Sequence, residues 1–207
     1  MMTNNPVELE SQQTIEYYNR EFNNYVSSTF TVDMTGLYRE FLPLVKPKGY
    51  ILDAGCGPGR DSLYFIRQGF RIMALDASEA MVAYATKLIG QSVLKLKFTE
   101  MDFESVFDGV WACASLLHIP KTQIDDVFSR IVRSLVNGGI FYSSFKYGDV
   151  EAFRNGRLFS NYTVANFRDL VARHSELSIV KIWKTPDVRP GRTGQFWLNS
   201  VCRKEIN

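Results

Sequence analysis

The stretch ILDAGCGPGRDS, residues 51–62, carries a short apolar run into Asp53 and then places Gly55, Gly57 and Gly59 at alternate positions before a helical pattern begins. Glycine lacks a Cβ, so the backbone can take positive φ there and a ligand can approach the main chain closely. A buried strand, a glycine turn and a helix in this order read as the ligand-facing corner of an open α/β sheet. Two other readings compete: a ligand-free strand-to-helix turn, and a dinucleotide-binding GxGxxG turn. In the second, the third glycine would stand one place later, and no lysine follows as a phosphate-cradling P-loop requires.

Downstream, 70–75 reads as a second buried strand ending at Asp76. A carboxylate there can accept two hydrogen bonds from vicinal ribose hydroxyls, which fits any adenosine ligand. Ser78 already supplies the N-cap of the next helix, with Glu79 in its first turn, so Asp76 is not needed for capping. Further short strands are expected at 95–98, 107–112 and 140–145, and two late ones at 178–184 and 195–203. Helical spacing marks 13–25, 36–45, 61–68, 79–89, 121–135 and 163–172, with the first dozen residues polar and loose. Asn137-Gly138-Gly139 reads as the turn that ends one helix and feeds the strand at 140. Strands alternating with helices give a parallel sheet covered on both faces. The last two strands, joined by a loop, should pair antiparallel at one edge. Residues 1–48 are expected to form an N-terminal helical cap and 49–207 the ligand-binding core of a single domain.

The 207 residues hold 24 Lys+Arg against 22 Asp+Glu, a net charge of +2, and are 45% hydrophobic. That composition suits a globular chain rather than a disordered one. Near-neutrality disfavours nucleic acid as a partner, leaving room only for a local basic patch. Three cysteines without CxxC spacing and two histidines make no metal or disulfide framework, and free thiols suit the cytoplasm. No stretch approaches the ~18–20 apolar residues of a membrane span.

Five motifs in order, ILDAGCGPGRDS, ALDAS (74–78), MDF (101–103), FDGVWACASLLHIP (107–120) and LVNGGIFYSSFK (135–146), resemble those of class I S-adenosylmethionine-dependent methyltransferases. The flanks at 25–42, 156–163 and 187–199 resemble a small bacterial subgroup of that family. The resemblance implies a Rossmann-like, seven-stranded, mostly parallel sheet with an antiparallel edge strand, and S-adenosylmethionine at the carboxyl ends of strands one to four. It implies methyl transfer from the sulfonium, with S-adenosylhomocysteine as product. Carried over residue by residue, Asp53, Gly55, Cys56, Gly57 and Gly59 approach the methionine part. Asp76, with Ala77, Ser78 and Met81, holds the ribose. Met101, Asp102 and Phe103 frame the adenine, while Ala114 and Ser115 face the methyl. The chain has ACASLLHIP where nucleic-acid amino methyltransferases carry an Asn/Asp-Pro-Pro-aromatic motif, which disfavours that chemistry.

Arg60, just after the turn, could grip the cofactor's carboxylate bidentately. His118 is the one imidazole near the expected site and a candidate general base; a structural histidine is the plainer reading. Tyr17, Tyr18, Phe22 and Tyr25, the aromatics that precede the core, could form a lid helix over the cofactor; a core stripe is the plainer reading. In the tail, Lys146, Arg157, Arg189 and Arg192 stand beside Trp197, a set suited to a small anionic or planar acceptor. Pro190 and Gly191 would fix the turn between the two arginines. The function expected is methyl transfer to a small molecule by a monomer or homodimer. A tRNA or RNA methyltransferase, a non-catalytic cofactor binder and a nicotinamide oxidoreductase are the alternatives.

Overall fold

The computed structural model describes residues 6–189 and 191–205. Helices α1 (Pro6–Arg20), α2 (Phe22–Thr29) and α3 (Thr35–Phe41) lead into strand β1 (Tyr50–Ala54). Then come α4 (Arg60–Arg67), β2 (Arg71–Asp76), α5 (Glu79–Ile89), β3 (Leu94–Lys95), β4 (Phe107–Ala112), α6 (Ile124–Ser134) and β5 (Leu135–Lys146). The tail adds a hairpin, β6 (Glu151–Arg154) and β7 (Arg157–Ser160), then α7 (Val164–Ala172), β8 (Leu177–Pro186) and β9 (Phe196–Lys204).

Seven strands form one sheet in the order β3-β2-β1-β4-β5-β9-β8. β1 pairs in parallel with β2 and β4, with Ile51 opposite Ile72 and Leu52 opposite Val110. The expected antiparallel pair is β8 with β9, and β9 also runs antiparallel to β5, so it sits one place in from the edge. Successive side chains of a strand point to opposite faces, and here both faces are apolar. Leu52, Val110 and Phe141 pack with Phe128 of α6 and Phe167 of α7. Their neighbours Ile51, Trp111 and Tyr142 pack on the other face with Phe41 and Phe65. Trp111 and Tyr142 stack there with centroids 3.9 Å apart.

Four local expectations need correction. The polar N-terminal stretch is not loose from residue 6 on: a proline at the first helical position and Glu8 in the first turn suit a helix start. The single helix expected at 13–25 is two helices meeting at Glu21, which leaves the helical region (ψ 15°). The strand expected at 95–98 pairs only through Leu94 and Lys95, because Phe98–Glu100 winds into a 3₁₀ turn. Finally, Asn137-Gly138-Gly139 is no loop. β5 starts at Leu135, opposite Phe107, and absorbs the glycines as an irregularity in the β4–β5 ladder.

Candidate active site

Two cavities open at the carboxyl ends of the parallel strands and share a wall. The smaller, about 150 Å³, lies over the glycine turn; the larger, about 790 Å³, lies toward the tail. Tyr18, Tyr25, Thr29, Arg60, Cys113, Ala114 and His118 line both. Ala114 takes φ +51°, a left-handed conformation that a residue with a Cβ seldom holds unless its surroundings enforce it. Its N–H donates to Ser144 Oγ at 2.8 Å.

The smaller cavity gathers most of the residues expected to meet the cofactor: Gly55, Cys56, Gly57, Arg60, Asp76, Ala77, Ser78, Met81, Ala114 and Ser115. Gly57 holds φ +54°, and a Cβ built on it would meet only Tyr25, at 3.8 Å, so the loop offers bare backbone to the space above it. Gly55, at φ +76°, is packed instead: a Cβ there would stand 2.5 Å from that of Ser115. Asp76 accepts from the Gly57 N–H at 2.9 Å and the Ser78 N–H at 2.8 Å. Burial pushes its carboxyl above the usual range, and those amides partly offset the effect. The Asp76 oxygens, the bare loop and a wall of Leu96 and Phe98 fit a nucleoside joined to an amino-acid chain.

Five expected residues lie elsewhere. Asp53 is 2% exposed and accepts from Ser62 Oγ at 2.6 Å, beneath the turn; burial and then the nearby Asp61 charge raise its pKa. Gly59 starts α4 at φ +84°, where a Cβ would sit 3.1 Å from the Ala85 methyl, so it serves helix packing. Met101 is in the core. Phe103 packs edge-on against Phe107. Asp102 does not frame the small cavity: it is exposed and pairs with Arg133. The 3₁₀ turn explains this shift, since it puts Phe98 in the wall and carries the chain past the cavity before Asp102 is reached.

The motifs assigned Asp61 no role, and Tyr18 was placed only within the aromatic stripe of a candidate lid helix. Asp61 is buried and accepts from Tyr38 Oη (2.6 Å), Arg60 Nε (2.6 Å) and Trp111 Nε1 (2.8 Å). Although burial opposes it, the Arg60 guanidinium holds this carboxyl below its usual range. Arg60 also donates to the Thr29 carbonyl at 2.9 Å. Tyr18 Oη lies 2.7 Å from His118 Nε2, and His118 Nδ1 lies 2.6 Å from the Leu158 carbonyl. A carbonyl only accepts, so Nδ1 carries the proton and Nε2 accepts from the tyrosine. Burial lowers the His118 pKa to about 4. Both ring nitrogens are therefore engaged and the imidazole is neutral, which leaves no free lone pair for a direct general base.

The tail residues named from sequence meet in the larger cavity: Tyr25, Lys146, Arg189, Arg192 and Trp197 all line it. Asp187, 2% exposed at its side chain, ties two of them, accepting from Lys146 Nζ at 2.5 Å and Arg189 at 2.6 Å. Pro190 lies outside the described residues. Among the described residues no cluster of His, Cys, Asp and Glu could hold a metal ion, and no helix is long and apolar enough to cross a membrane.

Residues 51–139 match the family model described as a methyltransferase domain. The Bacillus subtilis protein YqeM, named as a methyltransferase, is 33% identical over 115 residues, covering 50% of this chain and 46% of YqeM. The chain thus spans about half the length of that relative. In overall fold it is similar to 1,6-didemethyltoxoflavin-N1-methyltransferase of Burkholderia thailandensis, solved with 1,6-didemethyltoxoflavin and S-adenosylhomocysteine. That likeness has a TM-score of 0.76 at 24% identity, over 96% of this chain and 88% of the other. It is also similar to the [4+2]-cyclase SpnF, with a TM-score of 0.75 at 18% identity over 95% and 97% of the two chains. The fold alone therefore does not fix the reaction. Residues 51–139, with the glycine turn at their head, thus match a methyltransferase domain, and the chain as a whole has the Rossmann-like fold of the S-adenosylmethionine-dependent methyltransferase structures it resembles.

Proposed function

We propose that this chain methylates a small-molecule acceptor held in the larger cavity, using S-adenosylmethionine held in the smaller one. The observation that carries this reading is the shared wall of Tyr18, Tyr25, Arg60, Ala114 and His118, where a donor on one side and an acceptor on the other would meet. Bound S-adenosylmethionine supplies an electrophilic methyl carbon on a sulfonium. The protein's work is then to align the acceptor with that carbon and to exclude water. Asp76 would hold the ribose hydroxyls, the bare Gly57 backbone the methionine part, and Arg60 its carboxylate through the guanidinium nitrogens not already used. Tyr18, whose hydroxyl proton points to His118 and whose oxygen also meets the Arg157 side chain, would use its remaining lone pair to accept an N–H or O–H of the acceptor and so turn its nucleophilic lone pair toward the methyl. His118 acts through Tyr18 and is a positioning residue.

Calorimetry with S-adenosylhomocysteine and with NAD separates the ligand classes. Incubation with labelled S-adenosylmethionine and a metabolite extract then tests turnover. The expected result is tight binding of S-adenosylhomocysteine, none of NAD, and label in a small-molecule product. Binding without any labelled product would point to a cofactor binder.

A further inference from the structure

Arg157 stands on β7 in the wall of the larger cavity, with its guanidinium carbon 4.0 Å from the Tyr17 ring centroid, 5.0 Å from Phe159 and 5.7 Å from Tyr18. Its Nε is buried and makes no hydrogen bond; its side chain meets the Tyr18 hydroxyl oxygen, and no carboxylate forms an ion pair with it among the described residues. Asn161, in the same wall, has a buried Oδ1 that is also without a partner. Among the described residues three buried side-chain polar atoms lack a hydrogen bond, and two of the three belong to side chains that line this one cavity. The third, His174 Nε2, lies 3.3 Å from Asp125, away from the cavity. Buried unsatisfied groups are rare and costly in folded proteins, and a guanidinium held among aromatic rings with no acid beside it suits an organic anion.

The charge balance of the wall agrees. Asp187 is spent on Lys146 and Arg189, and Asp61 on Arg60. Asp33 accepts from the Thr35 N–H and hydroxyl at the head of α3. No acid remains for Arg157 or Arg192 among the described residues, so the cavity is net positive.

We propose that the methyl acceptor is a small organic anion, its carboxylate or phosphate gripped by Arg157 and an N–H or O–H of the same molecule bound by the Asn161 amide. The proposal rests on the methyltransferase reading above. Because Arg157 lies beside Tyr18, and Tyr18 lines both cavities, the anion is held one ring away from the point of transfer.

The test uses the full chain and a small-molecule filtrate of the source cells, split on an anion exchanger before reaction. Each fraction is incubated with labelled S-adenosylmethionine. Label is expected from the retained fraction. Prior treatment with alkaline phosphatase distinguishes the sources: loss of the acceptor marks a phosphate ester, survival a carboxylate. Arg157→Gln should raise the acceptor KM by about tenfold or more, the effect of losing one charge-assisted pair, with S-adenosylhomocysteine affinity unchanged. Asn161→Asp, close in size, should raise KM by placing a negative charge beside the anion, and it serves if Arg157→Gln fails to fold. Label arising only from the unretained fraction, or an unchanged KM in a folded variant, overturns the proposal. If S-adenosylhomocysteine binds but no fraction is labelled, the methyltransferase reading fails and the anion proposal falls with it.

Discussion

The Asp76 carboxylate is tied to the Gly57 and Ser78 amides, so the group that faces the smaller cavity also fixes the glycine turn to the head of α5. Asp76→Ala is expected to weaken S-adenosylhomocysteine binding by about 1.5–3 kcal/mol, the range for a charged hydrogen-bond partner. Calorimetry on the folded variant checks it, and undiminished affinity would remove the ribose assignment. His118 makes a prediction of a different kind. Its folded pKa of about 4 lies below the ordinary 6.5, so between those values the unfolded chain binds the proton and the native chain does not. The stability its neutral form contributes is complete above pH 6.5 and is lost as pH falls toward 4. In His118→Gln that dependence is absent. The gap in unfolding free energy between wild type and variant should therefore shrink by about 2 kcal/mol from pH 7 to pH 5 in urea titrations. A gap that stays constant would mean the imidazole is not held neutral.

At the scale of elements, α1 works as a strap across both cavities. Asn19 Oδ1 accepts from Ser78 Oγ at 2.7 Å and from the Ala80 N–H at 3.2 Å. Its neighbour Tyr18 reaches His118, and more than a turn further back Thr14 Oγ1 accepts from the Leu158 N–H at 3.2 Å on β7. Asn19→Ala should release the α5 end of this strap, raising amide exchange along α1 and speeding S-adenosylhomocysteine dissociation. Exchange and stopped-flow measurements would show it, and unchanged rates would leave α1 as mere packing. The strap's contacts explain what was hard to read in the chain. β1, β2 and β4 were legible because central parallel strands, buried on both faces, are continuous apolar runs. The β6–β7 hairpin was overlooked, although Asn155-Gly156, both at positive φ, is a strong two-residue hairpin turn. Glu151, Phe153 and Arg154 are exposed, so no buried run announced the first of its strands. The start of α1 was missed for a similar reason: a polar sequence becomes an ordered helix here through pairings with α5 and β7 that lie far away in the chain.

Across the whole molecule, legibility followed sequence distance. The smaller cavity is built mainly from the ends of β1, β2 and β4, and its motifs named most of its lining before any fold was known. The larger cavity draws on α1, α2, the β6–β7 hairpin and the β8–β9 loop, which only the sheet order brings together. Sequence placed Lys146, Arg189, Arg192 and Trp197 there but could not show that Asp187 binds two of those cations. This changes what Arg189 is expected to do. Held on Asp187 beside Lys146, with the Lys146 ammonium 4.2 Å from the Trp197 centroid, it braces the β8–β9 loop against the end of β5. Removing the shared acid leaves two cations facing each other without compensation, and Asp187→Asn should cost about 2–3 kcal/mol of stability. Arg189→Ala leaves the Lys146–Asp187 pair intact and should cost less. The double variant Asp187→Asn/Arg189→Ala removes the repelling partner as well, so its loss should be smaller than the sum of the single losses. Urea unfolding of the four proteins gives this coupling directly. S-adenosylhomocysteine affinity should stay the same throughout, because none of the three charges lines the smaller cavity. Strictly additive losses would mean that the three charges do not act as one brace, and lost cofactor affinity would place the loop on the donor side instead.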